Sequence, residues 1–279
     1  MTFSYAQLKT VAEILQSAAR TEILPRFRQL ASDQVRQKSS IHDVVTDADV
    51  AAEKVIADAL VRRFPGAVVI GEEGVSADPS ILGRLAGADL AFLVDPVDGT
   101  KNFASGLPLF GVMAAVVAYG EVVGGVIYDP ILDDFAFSLR GEGAWTESAD
   151  GVTKDLRVAS PCGISEMNGL VSWTALPSDM RRVVSANLPA FTASNSYRCA
   201  AHEYRMVCTG HADFLMHAKL MPWDHAAGVL MHREAGGYAA RLDGSPYSPR
   251  YTEGGILCAA DQATWEAVHE ALFRRPPSR

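Results

Sequence analysis

Carboxylates stand in this chain where apolar runs stop or helices open. Glu72-Glu73 follows Ala67-Val68-Val69-Ile70, Asp95 follows Leu90 to Val94, and Trp223-Asp224 heads a helical pattern. A buried strand fixes its backbone, so acids at its exit can project hard oxygen ligands into a shared cleft. Magnesium takes such ligands at about 2.0–2.1 Å in near-octahedral geometry. One bridging carboxylate can hold two ions about 3.5–4 Å apart, the spacing of two-metal hydrolysis. The densest segment is Asp95-Pro96-Val97-Asp98-Gly99-Thr100. Pro96 stiffens the turn, and Val97 exposes a backbone carbonyl between two acids as a further ligand. Gly99 lets a phosphate approach the backbone. Thr100 supplies a hydroxyl and can begin a short helix whose free amides favour phosphate.

Each of these elements also has a plain structural explanation. Asp224 before a helix reads as an N-cap. Asp49, three residues after Thr46, completes a capping box. Asp95 to Gly99 has the composition of an ordinary turn, and Glu72-Glu73 alone reads as solvated charge. The metal reading draws its weight from the combination.

The elements that must position these acids follow from periodicity. Leu8, Val11, Ala12, Leu15, Ala18 and Ala19 form one apolar stripe and predict a helix over 4–19. The stretch Asp33 to His42 is polar. A second helix starts near Thr46, buries Ala52, Val55, Ile56, Ala59 and Leu60, and stops at Pro65-Gly66. Short strands are expected over Ala67–Ile70 and Leu90–Val94, the latter stopping at Asp95. Antiparallel strands are expected from Phe110 to Trp145, with turns at Gly120-Glu121 and Asp129-Pro130. The polar segment Ala144 to Val158 marks a boundary between residues 1–148, an α+β half carrying the metal ligands, and residues 149–279, an α/β half completing the site. In the second half, helices are expected over Ala200–Thr209, Asp224–Ala235 (capped by Asp224 and ended by Gly236-Gly237) and Asp261–Phe273, with a strand at Ile256–Ala259. The last residues, Arg274 to Arg279, are expected to fray. Together these give an α+β half followed by an α/β half.

The 279 residues carry 33 acidic against 25 basic side chains, a formal net charge of -8. This balance speaks against direct nucleic-acid binding. The four cysteines form no C-x-x-C pair, which excludes a zinc module of that kind and fits reduced thiols in a cytoplasmic protein. No signal-peptide pattern and no membrane-spanning apolar run is evident.

The motifs resemble those of the inositol monophosphatase family, lithium-sensitive and magnesium-dependent phosphomonoesterases. Asp95-Pro-Val-Asp-Gly-Thr, followed by Lys101-Asn102-Phe103, looks like the family's first metal motif. Trp223-Asp224-His225-Ala226-Ala227-Gly228 resembles the second. Gly71-Glu72-Glu73, and Lys38-Ser39-Ser40 through Val45-Thr46-Asp47-Ala48-Asp49, fall in order and at suitable spacing. The resemblance spans nearly the whole chain.

That resemblance implies a layered α/β/α/β/α sandwich, a homodimer and two or three Mg2+ ions. Glu72, Asp95 and the Val97 carbonyl would hold the first ion. Asp95, Asp98 and Asp224 would hold the second, with a weaker third near Glu72 and with Lys38 and Glu73 as accessory charges. Thr100 would hydrogen-bond the attacking water and pass its proton towards Asp49, while Gly99 and Thr100 hold the phosphate. The implied reaction is hydrolysis of a small phosphorylated metabolite by a water that the metals activate.

The chain departs from the family on the leaving-group side. Where inositol-hydrolysing members carry a Gly-[ST]-Ala-Ala stretch, this chain has Arg198-Cys199-Ala200-Ala201, and by spacing His217 takes the place of a glutamate. Arg198 and His217 are therefore candidate substrate contacts favouring an anionic ester. The alternatives are an Arg198–Glu203 ion pair and a His217 that is exposed or satisfied in the interior. Inositol phosphate, sugar bisphosphate, histidinol phosphate and 3′-phosphoadenosine nucleotides all stay open as substrates. So does a metal-dependent regulatory protein on the same fold, including an RNA-polymerase contact known for some family members.

Overall fold

The computed structural model describes residues 3–31, 34–40 and 43–275, with residues 38–40 and 43 placed by backbone alone. The tail beyond Arg275, expected to fray, lies outside the described residues. Ser4 caps α1 (Tyr5–Ala18) in a reciprocal box with Gln7. The expected stripe from Leu8 to Ala18 is buried. Within the polar stretch after it, β1 (Val35–Ser40) pairs antiparallel with β2 (Asp43–Thr46). Thr46 then caps α2 (Asp47–Arg63), with Asp49 closing the expected capping box.

A seven-stranded sheet follows. It contains β3 (Val68–Gly71), β4 (Leu90–Asp98), β5 (Gly111–Ala118), β6 (Glu121–Asp129), β7 (Asp134–Leu139), β8 (Gly143–Glu147) and β9 (Thr153–Asp155), paired in that order. Only the β3–β4 pair is parallel. Two short helices interrupt it, α3 (Glu72–Ala77) and α4 (Thr100–Ala104). The polar segment expected as a boundary thus carries β9 and part of β8.

The five-stranded second sheet contains β10 (Asn168–Ser172), β11 (Ala193–Asn195), β12 (Phe214–His217), β13 (Tyr238–Arg241) and β14 (Ile256–Ala259), in the order β11-β10-β12-β14-β13. Its helices are α5 (Ser178–Asn187), α6 (Ala200–Cys208), α7 (Pro222–Glu234) and α8 (Gln262–Phe273), the last capped by Asp261.

Three apolar clusters reveal the layering. In the first, Leu8, Val11 and Ile56 of α1 and α2 pack on Phe92, Val112 and Val126, one face of the large sheet. On its other face, Leu93, Met113 and Ile127 meet Tyr204, Ala226 and Ala227 of α6 and α7, which also cover Leu215 and Cys258 of the small sheet. The remaining face of the small sheet, through Phe214, Met216 and Leu257, packs on Val184, Val268 and Leu272 of α5 and α8. Strand alternation separates the two faces of each sheet, and each fully buried aliphatic side chain contributes about 1.5–3 kcal/mol. The result is the expected α/β/α/β/α sandwich. Gly228 sets the closeness of α6 and α7, because a Cβ there would lie 2.2 Å from the Tyr204 ring.

Candidate active site

The acids reach one cleft from separate elements. β3 ends at Gly71, and Glu72 is the first residue of α3, so it is held by a strand end and a helix start together. Asp95 and Asp98 lie in β4, which does not stop at Asp95 as the sequence suggested. The strand continues through Pro96 with a register shift between Asp95 and Asp98. Proline donates no ladder bond, so the irregularity sits where a donor is missing. Asp224 is in the first turn of α7, behind Pro222, and Met221 takes the cap position. The expected N-cap role for Asp224 is therefore incorrect: its carboxylate is left for the cleft.

Oxygens of Glu72, Asp95 and Asp224 all lie within 4.8 Å of one another. Asp95 is 2 % exposed, and its Oδ1 accepts the Val97 amide at 3.1 Å. Asp98, 9 % exposed, turns Oδ2 to the start of α6, where it accepts from the Ala201 amide at 2.5 Å and the Cys199 thiol at 3.0 Å. Beside this cluster the Thr100 hydroxyl lies 2.9 Å from Asp49 Oδ1 and 2.9 Å from the Val97 carbonyl. Asp49 is held by its capping box, Oδ2 accepting from the Thr46 amide at 2.9 Å. Gly99 adopts φ +86°, a left-handed conformation that glycine takes without strain. A Cβ there would meet the Leu109 carbonyl at 2.9 Å.

Burial and mutual repulsion raise the acids of the cluster. Burial first, then the charges of Glu72, Asp98, Asp224 and Asp49, push the Asp95 carboxyl well above its ordinary range. Burial and then Glu72 and Asp98 push Asp224 up to about 7. Burial also raises Asp98, and lifts Asp49 to about 7. A dication relieves both the desolvation and the repulsion. The donors are all hard oxygens, which fits magnesium rather than a thiolate- or imidazole-preferring metal.

Glu73 follows Glu72 in α3, and its amide donates to Glu53 at 2.7 Å. Lys38 is in β1 by its backbone, and its side chain lies outside the described residues. Arg198, exposed, directly precedes Cys199, the cap residue of α6. It makes no ion pair with Glu203. Instead Glu203 Oε2 stands 2.7 Å from His217 Nε2, so His217 has a buried ionic partner. Glu203 is the site residue the sequence reading took only as a bystander. Its signal was the histidine standing where an acid was expected, which calls for a compensating acid nearby.

A sequence model of the inositol monophosphatase family matches residues 3–275. Nus factor SuhB of Xylella fastidiosa is 32% identical over 257 residues, 88% of this chain and 87% of that protein. Inositol-1-monophosphatase of Rhizobium meliloti is 30% identical over 265 residues, 91% of each. The crystal structure of extragenic suppressor protein suhB from Bartonella henselae superposes with a TM-score of 0.83 at 28% identity, covering 97% of this chain and 100% of that one. A match of that extent, on a chain whose acids converge as described, establishes that this protein belongs to the inositol monophosphatase family.

Proposed function

We propose that the protein hydrolyses a small phosphate monoester in a magnesium-dependent reaction. The observation that carries this is the convergence of Glu72, Asp95 and Asp224 within 4.8 Å, beside the Thr100–Asp49 pair. Glu72, Asp95 and the Val97 carbonyl are the ligands proposed for one ion, and Asp95, Asp98 and Asp224 those for a second. Bound magnesium supplies positive charge to the phosphate oxygens and lowers the pKa of a water.

The chain's own groups do the positioning. The Gly99 and Thr100 amides hold the phosphate. Thr100 Oγ accepts a proton from the attacking water as it passes its own to Asp49, whose carboxyl, pushed up to about 7, suits a base working near neutrality. No protein nucleophile is needed, because orientation and charge neutralisation supply the rate. Arg198 and His217 stand on the leaving-group side. A purely regulatory protein on this fold has no need of the full set Glu72, Asp95, Asp98, Asp224, Thr100 and Asp49, so its presence favours catalysis. A homodimer in the cytoplasm completes this reading.

The test is phosphate release from a panel of esters, with magnesium and with chelator. Release that needs magnesium and is lost in Asp98→Asn supports the proposal. Release from no ester, or release indifferent to chelator, contradicts it.

A further inference from the structure

One buried carboxylate organises the residues packed beside Asp98 and Asp224. Glu203, in α6, is 0 % exposed. Its Oε1 accepts from the Tyr197 amide at 2.6 Å, and its Oε2 lies 2.7 Å from Nε2 of His217 at the end of β12. Neither atom has another partner among the described residues, so the two face each other as an ion pair. A carboxylate this deeply buried demands a cation beside it. With Nε2 shut in against Glu203, Nδ1 is the ring nitrogen left to meet a ligand, and it has no hydrogen-bond partner among the described residues. The ring is fixed from two sides, parallel to Tyr204 within 5° and edge-on to His225 at 4.9 Å.

The same carboxylate pins the segment that carries Arg198. The Tyr197 amide is taken by Glu203, and the Tyr197 carbonyl accepts from Asn102 Nδ2 at 2.7 Å. On the other side of Arg198, the Cys199 thiol donates to the carboxylate of Asp98 at 3.0 Å. Between these anchors Arg198 is held at φ 53°, a left-handed conformation that costs any residue but glycine. Its guanidinium is exposed and makes no hydrogen bond or ion pair among the described residues. A strained backbone kept at a long cation beside a reactive cleft points to use of that cation.

Both groups offer donors and no acceptor: the imidazolium through Nδ1–H, the guanidinium through its fork. A neutral polyol hydroxyl uses such a wall poorly, whereas a carboxylate or phosphate, which only accepts, uses it fully. We propose that the leaving group of the substrate carries a second anionic group, bound by His217 and Arg198, with Glu203 as the positioning residue that aims both. This rests on the phosphomonoesterase reading.

The test compares matched esters with the magnesium-loaded enzyme: 2-phosphoglycerate against glycerol 2-phosphate, and fructose 1,6-bisphosphate against fructose 1-phosphate. The expected result is a KM at least tenfold lower for the anionic member of one pair, and the pair that responds tells carboxylate from phosphate. Glu203→Gln and Arg198→Gly should each erase most of that preference, chiefly in KM rather than kcat. Arg198→Gly relieves the backbone and so keeps the fold. Equal KM values within both pairs, or losses that fall equally on both members, overturn the assignment of the anionic group and leave the phosphatase reading standing. Release from none of the four esters overturns the phosphatase reading itself, and this proposal with it.

Discussion

The Thr100 hydroxyl and the Asp49 carboxylate, 51 residues apart in the chain, meet at 2.9 Å on the edge of the acidic cluster. Asp49 reaches that position because it is the third residue of a helix whose capping box fixes its side chain. One carboxylate therefore serves a helix end with Oδ2 and the candidate reaction with Oδ1. Removing the hydroxyl should cost catalysis and little else. Thr100→Ala is expected to lower kcat by about 10²–10⁴-fold, with magnesium affinity changed by no more than a few-fold. Thr100→Ser should recover most of the rate. Steady-state kinetics beside a magnesium titration checks this, and a kcat within threefold of the parent would remove Thr100 from the mechanism.

Stability without metal should fall as pH rises. Burial pushes Asp49, Glu53 and Asp224 each up to about 7, from ordinary values of 3.8, 4.5 and 3.8. A folded pKa above the unfolded one means that the folded state binds more protons between those values. Stability is then fully present below the unfolded pKa and is lost as pH rises through about 7. Acids paired at the exposed surface act in the opposite sense, but solvent screens them. In chelator, the melting temperature is expected to be higher at pH 5 than at pH 8 by several degrees. Magnesium should restore stability at pH 8 by binding the ionised cluster. A melting temperature independent of pH in chelator would contradict the buried acids.

The left-handed conformation of Arg198 predicts an ordering of variants at that site. Glycine takes φ 53° freely and alanine does not. Arg198→Gly is therefore expected to be more stable than Arg198→Ala by about 1 kcal/mol, the usual cost of that conformation. Both remove the same guanidinium, so chemical denaturation of the pair isolates the backbone term. Equal midpoints would mean that the segment relaxes out of the left-handed region.

Gly228→Ala tests the seat of Asp224. The added methyl would meet the Tyr204 ring at 2.2 Å, and Tyr204 is fully buried. Neither the ring nor α7 has room to yield, so overpacking should cost about 1–3 kcal/mol. Because α7 also carries Asp224, magnesium affinity should weaken in the same variant. Unchanged affinity alongside lost stability would show that the ring moves and the helix does not.

The parts of this molecule that were legible in sequence are those governed by local rules. The stripe of α1, the Thr46–Asp49 box and the apolar runs leading to Glu72 and Asp95 depend on residues within a few positions of one another. What was not legible lies where distant partners decide. The β1–β2 pair is polar, so no apolar alternation marks it, and only mutual pairing makes it a strand pair. β4 runs past Asp95 because β5 pairs with it up to Gly111. Asp224 has the residue type of a cap, but Pro222 opens the helix two residues earlier and leaves the cap position to Met221. Glu203 and His217 sit on a helix and a strand, and no pattern within either element announces their contact.

Glu72, Asp95 and Asp224, which converge within 4.8 Å, are expected to gather divalent cations at one point. Crystals grown with manganese in place of magnesium, measured at the manganese absorption edge, would locate the ions directly. The expected result is an anomalous peak among these three carboxylates, lost in Asp95→Asn. No peak there under saturating manganese, or a peak that survives Asp95→Asn unchanged, would contradict the account.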